Sequence, residues 1–312
     1  MRPSESGGTG HGGAGDTMTG TAVTVAERLQ LHLAELTPSE RKVAQALMAE
    51  YPVRGLQPIA KLAAAAGVSA PTVVRLVAKL SFDSYADFQR SLKSEVSARL
   101  SSPLAMHAER SAAERSAAAS DPLGRSEQMF CEGIRSSFAR LPRAEFEQAV
   151  RLLAEYKRSV TLIGGRFSTM LAEYLAAHLR VLRPNVHVVS AAGGDRMGAL
   201  LDIGRRDILV AFDYRRYQRD TVRLAITAKR QGATLIAFTD PYLSPLSAYA
   251  DVILTSSVQS PSPFDALTPA LALVEAVITA LVDRLGDTPL ARMARYDALY
   301  AGAVDTDDGE GP

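Results

Sequence analysis

Apolar positions along this chain follow two regimes. From about residue 22 to 100 they recur at helical spacing; from about 126 to 285 short β-branched runs alternate with longer helical stretches. In the first regime Val43, Ala44, Leu47 and Met48 share one face of a helix expected to run to about Tyr51 and to stop before Pro52. Thr37, Pro38, Ser39 and Glu40 open it as a capping box: the threonine accepts from the N3 amide, Glu40 reaches back, and Pro38 stands where a missing N–H costs nothing. Ile59, Leu62 and Ala63 mark a second helix ending near Ala66. Gly67 then supplies the positive φ that a helix end commonly requires. Ser69 is expected to cap a third helix, Ala70 to Leu80, whose apolar face is Val73, Leu76, Val77 and Leu80.

In the second regime the strand-like runs are Ser159 to Ile163, Val186 to Val189, Asp207 to Phe212, Thr234 to Phe238 and Asp251 to Leu254. Between them, Met170 to Leu182 reads as a helix, and Thr221 to Gln231 as helical or a short connecting turn. Gly194 to Leu201 and Leu243 to Tyr249 read as helical or short connecting turns. Alternating β and α elements predict a parallel sheet covered on both faces, with ligands at the carboxyl ends of its strands. The fold class expected is therefore α/β: an all-α helix-turn-helix domain (22–100) followed by a parallel-sheet α/β sandwich domain (126–285). A Gly-, Ser- and Thr-rich tail expected to be disordered (1–21), a Ser/Ala/Glu-rich connector (101–125) and a C-terminal helix with an acidic tail (286–312) complete the chain.

Composition narrows the function. The 312 residues are 47% apolar and 22% charged, which excludes a disordered or collagenous chain. The most apolar stretch, Ala266 to Val282, is interrupted by Pro269 and Glu275 and reads as a buried helix rather than a membrane span. The N-terminal segment has no apolar run of the secretory type, and the expected location is the cytoplasm. A lone cysteine, Cys131, and five scattered histidines give no metal-binding spacing, so neither metal nor cofactor is expected. Net charge is +1, but it is unevenly spread: Thr37 to Arg99 holds nine bases against five acids, and the last twelve residues hold four acids and no base. A local basic surplus permits contact with a phosphate backbone.

Two short helices joined by a tight glycine turn form a helix-turn-helix, whose second helix can enter the major groove. Its polar face offers Thr72, Arg75 and Lys79. Ala70 and Pro71 keep its start small enough for close approach to base edges. The plain alternative is a helix–helix corner carrying a solvated arginine.

The segments LTPSERKVAQALMAEY and IAKLAAAAGVSAPTVVRLVAKLSFDSYADFQRSL resemble the N-terminal domain of RpiR-type bacterial transcriptional regulators. That resemblance implies that Ser69, Thr72, Arg75 and Lys79 face DNA, and that Phe82, Tyr85 and Phe88 close the domain core. Ser81 stands where the family usually has glycine.

In the α/β block, a strand, the turn Gly164-Gly165-Arg166-Phe167-Ser168-Thr169 and a helix start make a candidate anion site. The block resembles the sugar isomerase (SIS) domain that follows the helix-turn-helix in RpiR-type regulators. In that family the loop after the third strand reads Ser-x-Ser-Gly-x-Thr; here it reads Asp213-Tyr214-Arg215-Arg216-Tyr217-Gln218. Asp213 would repel a phosphate, whereas Arg215 or Arg216 could pair with a phosphate or carboxylate, unless an ion pair with Asp213 or Asp220 holds them. The resemblance implies a ligand site at Gly164, Gly165, Arg166, Ser168, Thr169, Asp213, Arg215 and Arg216. If the ligand has been lost, the domain would serve dimerisation alone. Glu275 and His178, the titratable groups an isomerase would need, each sit singly in a helical pattern.

The function expected is a DNA-binding transcriptional regulator and not an enzyme. Its expected partners are a double-stranded DNA operator, a second copy or a tetramer of itself, and a small anionic metabolite, a sugar phosphate being one case; no membrane is expected. The alternative is a sugar-phosphate-binding or isomerase-like protein whose helical domain does not bind DNA.

Overall fold

A computed structural model describes residues 23–100, 102–109, 121–189 and 196–304. The expectations for the N-terminal tail and the acidic end, and those for residues 101 and 110–120 of the connector, lie outside the described residues.

The N-terminal unit is helical: α1 (Val25–His32), α2 (Pro38–Ala49), α3 (Ile59–Ala66), α4 (Ala70–Lys79) and α5 (Tyr85–Leu100). The Thr37 capping box forms as expected, with the Glu40 carboxylate accepting from the Thr37 amide at 2.9 Å. A second capping box, Thr24 with Glu27, starts α1. Gly67 adopts φ 63° and closes α3, and α3 and α4 meet at 100°, within the helix-turn-helix range. Ser69 does not cap α4 with its side chain; its hydroxyl lies 3.2 Å from that of Thr72 instead. Ser81 takes φ 62°, the left-handed backbone that glycine would supply, and Arg28 secures this corner by donating to the carbonyls of Leu80 and Ser81. Val43, Leu47, Leu62, Val73, Leu76 and Leu80 form one core, closed by Phe82 set edge-on to Phe88, with Tyr85 packed against it. Burying six such side chains contributes roughly 10 kcal/mol before entropy is counted.

Helix α6 (Pro103–Glu109) follows, and then α7 (Pro122–Arg140), which begins inside the expected connector: Asp121 caps it from the Gly124 amide, and Pro122 stands at the first helical position. After α8 (Arg143–Leu153), five parallel strands alternate with helices. They are β1 (Ser159–Gly164), β2 (Val186–Val189), β3 (Asp207–Phe212), β4 (Thr234–Thr239) and β5 (Val252–Thr255), in spatial order β2-β1-β3-β4-β5. The helices are α9 (Thr169–Leu182), α10 (Arg219–Arg230) and α11 (Thr268–Leu285), followed by α12 (Leu290–Val304). Among the described residues, the segments 196–201 and 243–249 supply only short 3-10 turns, Gly198–Leu200 and Pro245–Tyr249. On β3, Ile208, Val210 and Phe212 enter one core with α8, α9 and α11, while Leu209 and Ala211 enter another with α10. Burial on both faces explains why the central strands β3 and β4 read as near-continuous apolar runs.

Strand order reverses between β1 and β3. Connections leave these neighbours in opposite directions and open a crevice at their carboxyl ends, the place where open α/β sheets take ligands. Among the described residues, no single helix is long and apolar enough to cross a membrane.

Candidate functional site

On α4 the core takes Val73, Leu76 and Val77, which turns Ser69, Pro71, Val74, Arg75 and Ala78 outward. Two of the residues expected on this face are placed otherwise. Thr72 is buried, 5% exposed, and its hydroxyl accepts from Arg75 Nη2 at 3.0 Å, so it aims the guanidinium rather than meeting a partner itself. Lys79 points back into the domain, its Nζ donating to Glu40 Oε2 at 2.9 Å and to the Glu35 carbonyl at 3.0 Å. That pairing pulls the Glu40 carboxyl below its ordinary range. Ala70 is half-buried at the helix start. Sequence reading passed over Val74, although it is 51% exposed; a β-branched residue in an apolar run looks like core until the register is known. Small apolar side chains beside an arginine suit thymine methyls and a guanine edge.

The crevice between β1 and β3 is a cavity of about 500 Å³. One wall is the turn after β1 (Gly165 to Ser168, then Met170), another the loop after β3 (Asp213 to Arg216, with Gln218), and the third is Phe264, Asp265 and Leu267. Gly164 ends β1 so close to α9 that a Cβ would run into the backbone of Thr169; it serves packing and does not line the cavity, nor does Thr169. Ser168 is buried and donates to the Phe212 carbonyl at 2.7 Å while accepting from the Gly165 amide at 2.9 Å, which ties the two loops together.

Asp213 is 1% exposed. One oxygen accepts from the Gln218 amide at 3.1 Å, at the start of α10, and the other from the Ser244 hydroxyl. Burial pushes its carboxyl up to about 7, and that of Asp240, also buried behind the loop, to about 6. Arg215 is ion-paired with Asp265, a partner that neither Asp213 nor Asp220 provides. Arg216 is exposed and adopts φ 67°, so the loop keeps a left-handed residue where the resembling family has glycine. Arg166 is exposed beside the Phe167 ring, its guanidinium 5.4 Å from the centroid. Glu275 and His178 bond within their own neighbourhood, Glu275 to the Tyr174 hydroxyl and His178 to the Tyr174 carbonyl, and line no part of the cavity.

The loop after β3 also touches the helical domain. Arg215 Nη1 donates to the Ala98 carbonyl in the last turn of α5 at 3.3 Å. Arg99 lies 5.2 Å from the Tyr217 ring centroid and donates to the Leu243 carbonyl. Around the other side, Thr24 donates to the Pro241 carbonyl at 3.0 Å and Arg140 meets Glu27 at 3.3 Å.

The model of the helix-turn-helix domain of the rpiR family matches residues 23–99, and that of the SIS domain matches residues 152–280. Among solved structures, the sugar isomerase domain of an RpiR transcription factor from Sphaerobacter thermophilus is 22% identical with a TM-score of 0.51. That match covers 54% of this chain and 94% of the other. The NanR protein of Vibrio vulnificus, complexed with ManNAc-6P, is 18% identical with a TM-score of 0.49, covering 88% of this chain and 97% of the other. No curated protein matches the chain. With an rpiR-family helix-turn-helix joined to a SIS domain, the chain belongs to the RpiR-type transcriptional regulators.

Proposed function

We propose that this regulator binds a two-fold operator as a dimer or tetramer, and that a small anionic metabolite in the β1/β3 crevice alters how its DNA-binding domains are held. The observation that carries the DNA half is the outward stripe of α4, Ser69, Pro71, Val74, Arg75 and Ala78, on a corner of helix-turn-helix geometry. One short helix reads few base pairs, so a second copy is expected on mechanistic grounds. Supporting self-association, α12 leaves Tyr296, Leu299 and Tyr300 exposed at helical spacing.

The effector half is supported by position and by charge. The crevice lies at the switch point of the sheet, and the exposed guanidiniums of Arg166 and Arg216 stand at its mouth. Communication would run through Arg215, which lines the cavity and also bonds α5. A ligand that competes for Arg215 or Asp265 would bind the two domain arrangements unequally, which is the requirement for a population shift. Among the described residues, the carboxyl groups lining the cavity are Asp213 and Asp265, both already engaged, and this favours sensing over turnover.

Selection of fragmented genomic DNA with the purified protein tests the reading. Enrichment of a discrete palindrome, lost with Arg75→Ala, is the expected result; no enrichment would favour a metabolite-binding protein whose helical domain serves assembly.

A further inference from the structure

Within the crevice, the group best placed to greet an anion is already bonded. The Gln218 amide sits at the start of α10, where helix geometry concentrates partial positive charge, and it donates to Asp213. Ser244 donates to the other Asp213 oxygen, and Ser168 directs its proton to the Phe212 carbonyl. These donors are engaged whether Asp213 is charged or neutral, because a carboxyl oxygen accepts in either state. A side chain covalently fixed to the end of β3 thus fills the place a phosphate group would take.

What remains open is of a different character. Exposed Phe167 and Phe264 flank the cavity, and Leu267 adds to the apolar wall. Arg166 and Arg216 have no carboxylate partner among the described residues. A guanidinium pairs bidentately with a carboxylate as well as with a phosphate. Asp265 is already neutralised by Arg215, so the charge of a ligand falls to the guanidiniums of Arg166 and Arg216.

Resting on the reading of this crevice as an anion sensor, the geometry points to its ligand class: a small carboxylate with a C–H-rich face, held by Arg166 and Arg216 against Phe167 and Phe264. Phosphate esters are excluded because the Asp213 side chain occupies their seat. Such a carboxylate could be a sugar acid, whose ring presents C–H faces, or an aryl-substituted acid.

Isothermal titration of the full-length protein with glucuronate, 3-phenylpropionate, glucose 6-phosphate and inorganic phosphate tests this, and the first two distinguish the sources. Saturable binding is expected for at least one carboxylate, weakened roughly tenfold or more in the Arg166→Ala/Arg216→Ala double variant, and none for the phosphates. Asp213→Ser, which empties the seat and frees the Gln218 amide, is expected to gain binding of inorganic phosphate. Binding of glucose 6-phosphate to the wild type that the arginine double variant abolishes would overturn the ligand class and leave the anion-sensing reading intact. Binding of neither class to the wild type would overturn both. A folded Asp213→Ser that gains no phosphate would overturn the role given to Asp213. Should that variant not fold, the wild type and the arginine double variant, whose side chains are exposed, decide alone.

Discussion

Arg215 and Ala98 join the two halves of this molecule: the guanidinium that lines the cavity donates to the carbonyl of the last turn of α5 at 3.3 Å. The same guanidinium neutralises Asp265, whose side chain is 14% exposed. Removing it strands a largely buried carboxylate, so Arg215→Ala is expected to lower stability by about 3 kcal/mol. Arg215→Met/Asp265→Leu, which removes both charges together, is expected to recover most of that loss in urea unfolding. Amide exchange at the end of α5 should rise in both variants, because both lose the bond to Ala98; unchanged exchange would mean that the bond does not hold the helix.

The α4 stripe makes a graded prediction for DNA affinity. Arg75→Ala is expected to cost about 1–3 kcal/mol on a selected operator and to relax preference at one base position. Thr72→Ala should cost less, since it loosens the aim of Arg75 without removing the contact. Fluorescence anisotropy across a salt series checks this: a uniform loss across sequences with a shallower salt slope would reassign Arg75 to a phosphate.

Lys79 is expected to matter for folding rather than for DNA. Its partner Glu40 has a carboxyl lowered from 4.5, so the pair stabilises the fold above that pH, and the contribution is lost as pH falls through the lower folded value. Glu40→Gln should therefore cost about 1 kcal/mol at neutral pH, and the two unfolding curves should converge in acid. A Lys79→Ala variant that folds normally but loses DNA affinity would contradict this placement.

Asp213 and Asp240 carry the opposite sign. Burial raises them to about 7 and about 6 from 3.8, so the unfolded chain releases these protons more readily than the folded one. Their contribution is complete below pH 3.8 and is lost as pH rises to about 7. Asp213→Asn keeps an acceptor for the Gln218 amide and cannot ionise. Its stability relative to wild type should rise steadily across that window, as read by denaturant unfolding at several pH values; parallel curves would show that Asp213 does not titrate there.

Much of this was legible in the sequence because the signals are local. The Thr37 capping box, the Gly67 turn and the five β-branched runs each depend on residues within a few positions of one another, and each stands where it was expected. Asp121-Pro122 carried an equally local helix-start signal, hidden by the low apolar content of the stretch around it. The site was harder, because its defining contacts are distant. Asp265 reaches Arg215 from 50 residues away, and Lys79 reaches Glu40 across 39. No periodicity reports such partners. The depth of Thr72 depends on how far α4 is rotated against its neighbours, which a single apolar stripe fixes only to within one residue.

The most direct test of the central claim tethers a cleavage reagent to the outward face of α4. With Cys131, an exposed thiol, replaced by serine, Ala78→Cys carries an iron chelate, and cleavage is mapped on the selected operator. Two symmetry-related clusters of cuts, centred on major-groove positions roughly 10 base pairs or a multiple of that apart, are the predicted result. Cuts scattered evenly along the duplex, or none above the untethered background, would show that α4 does not enter the groove.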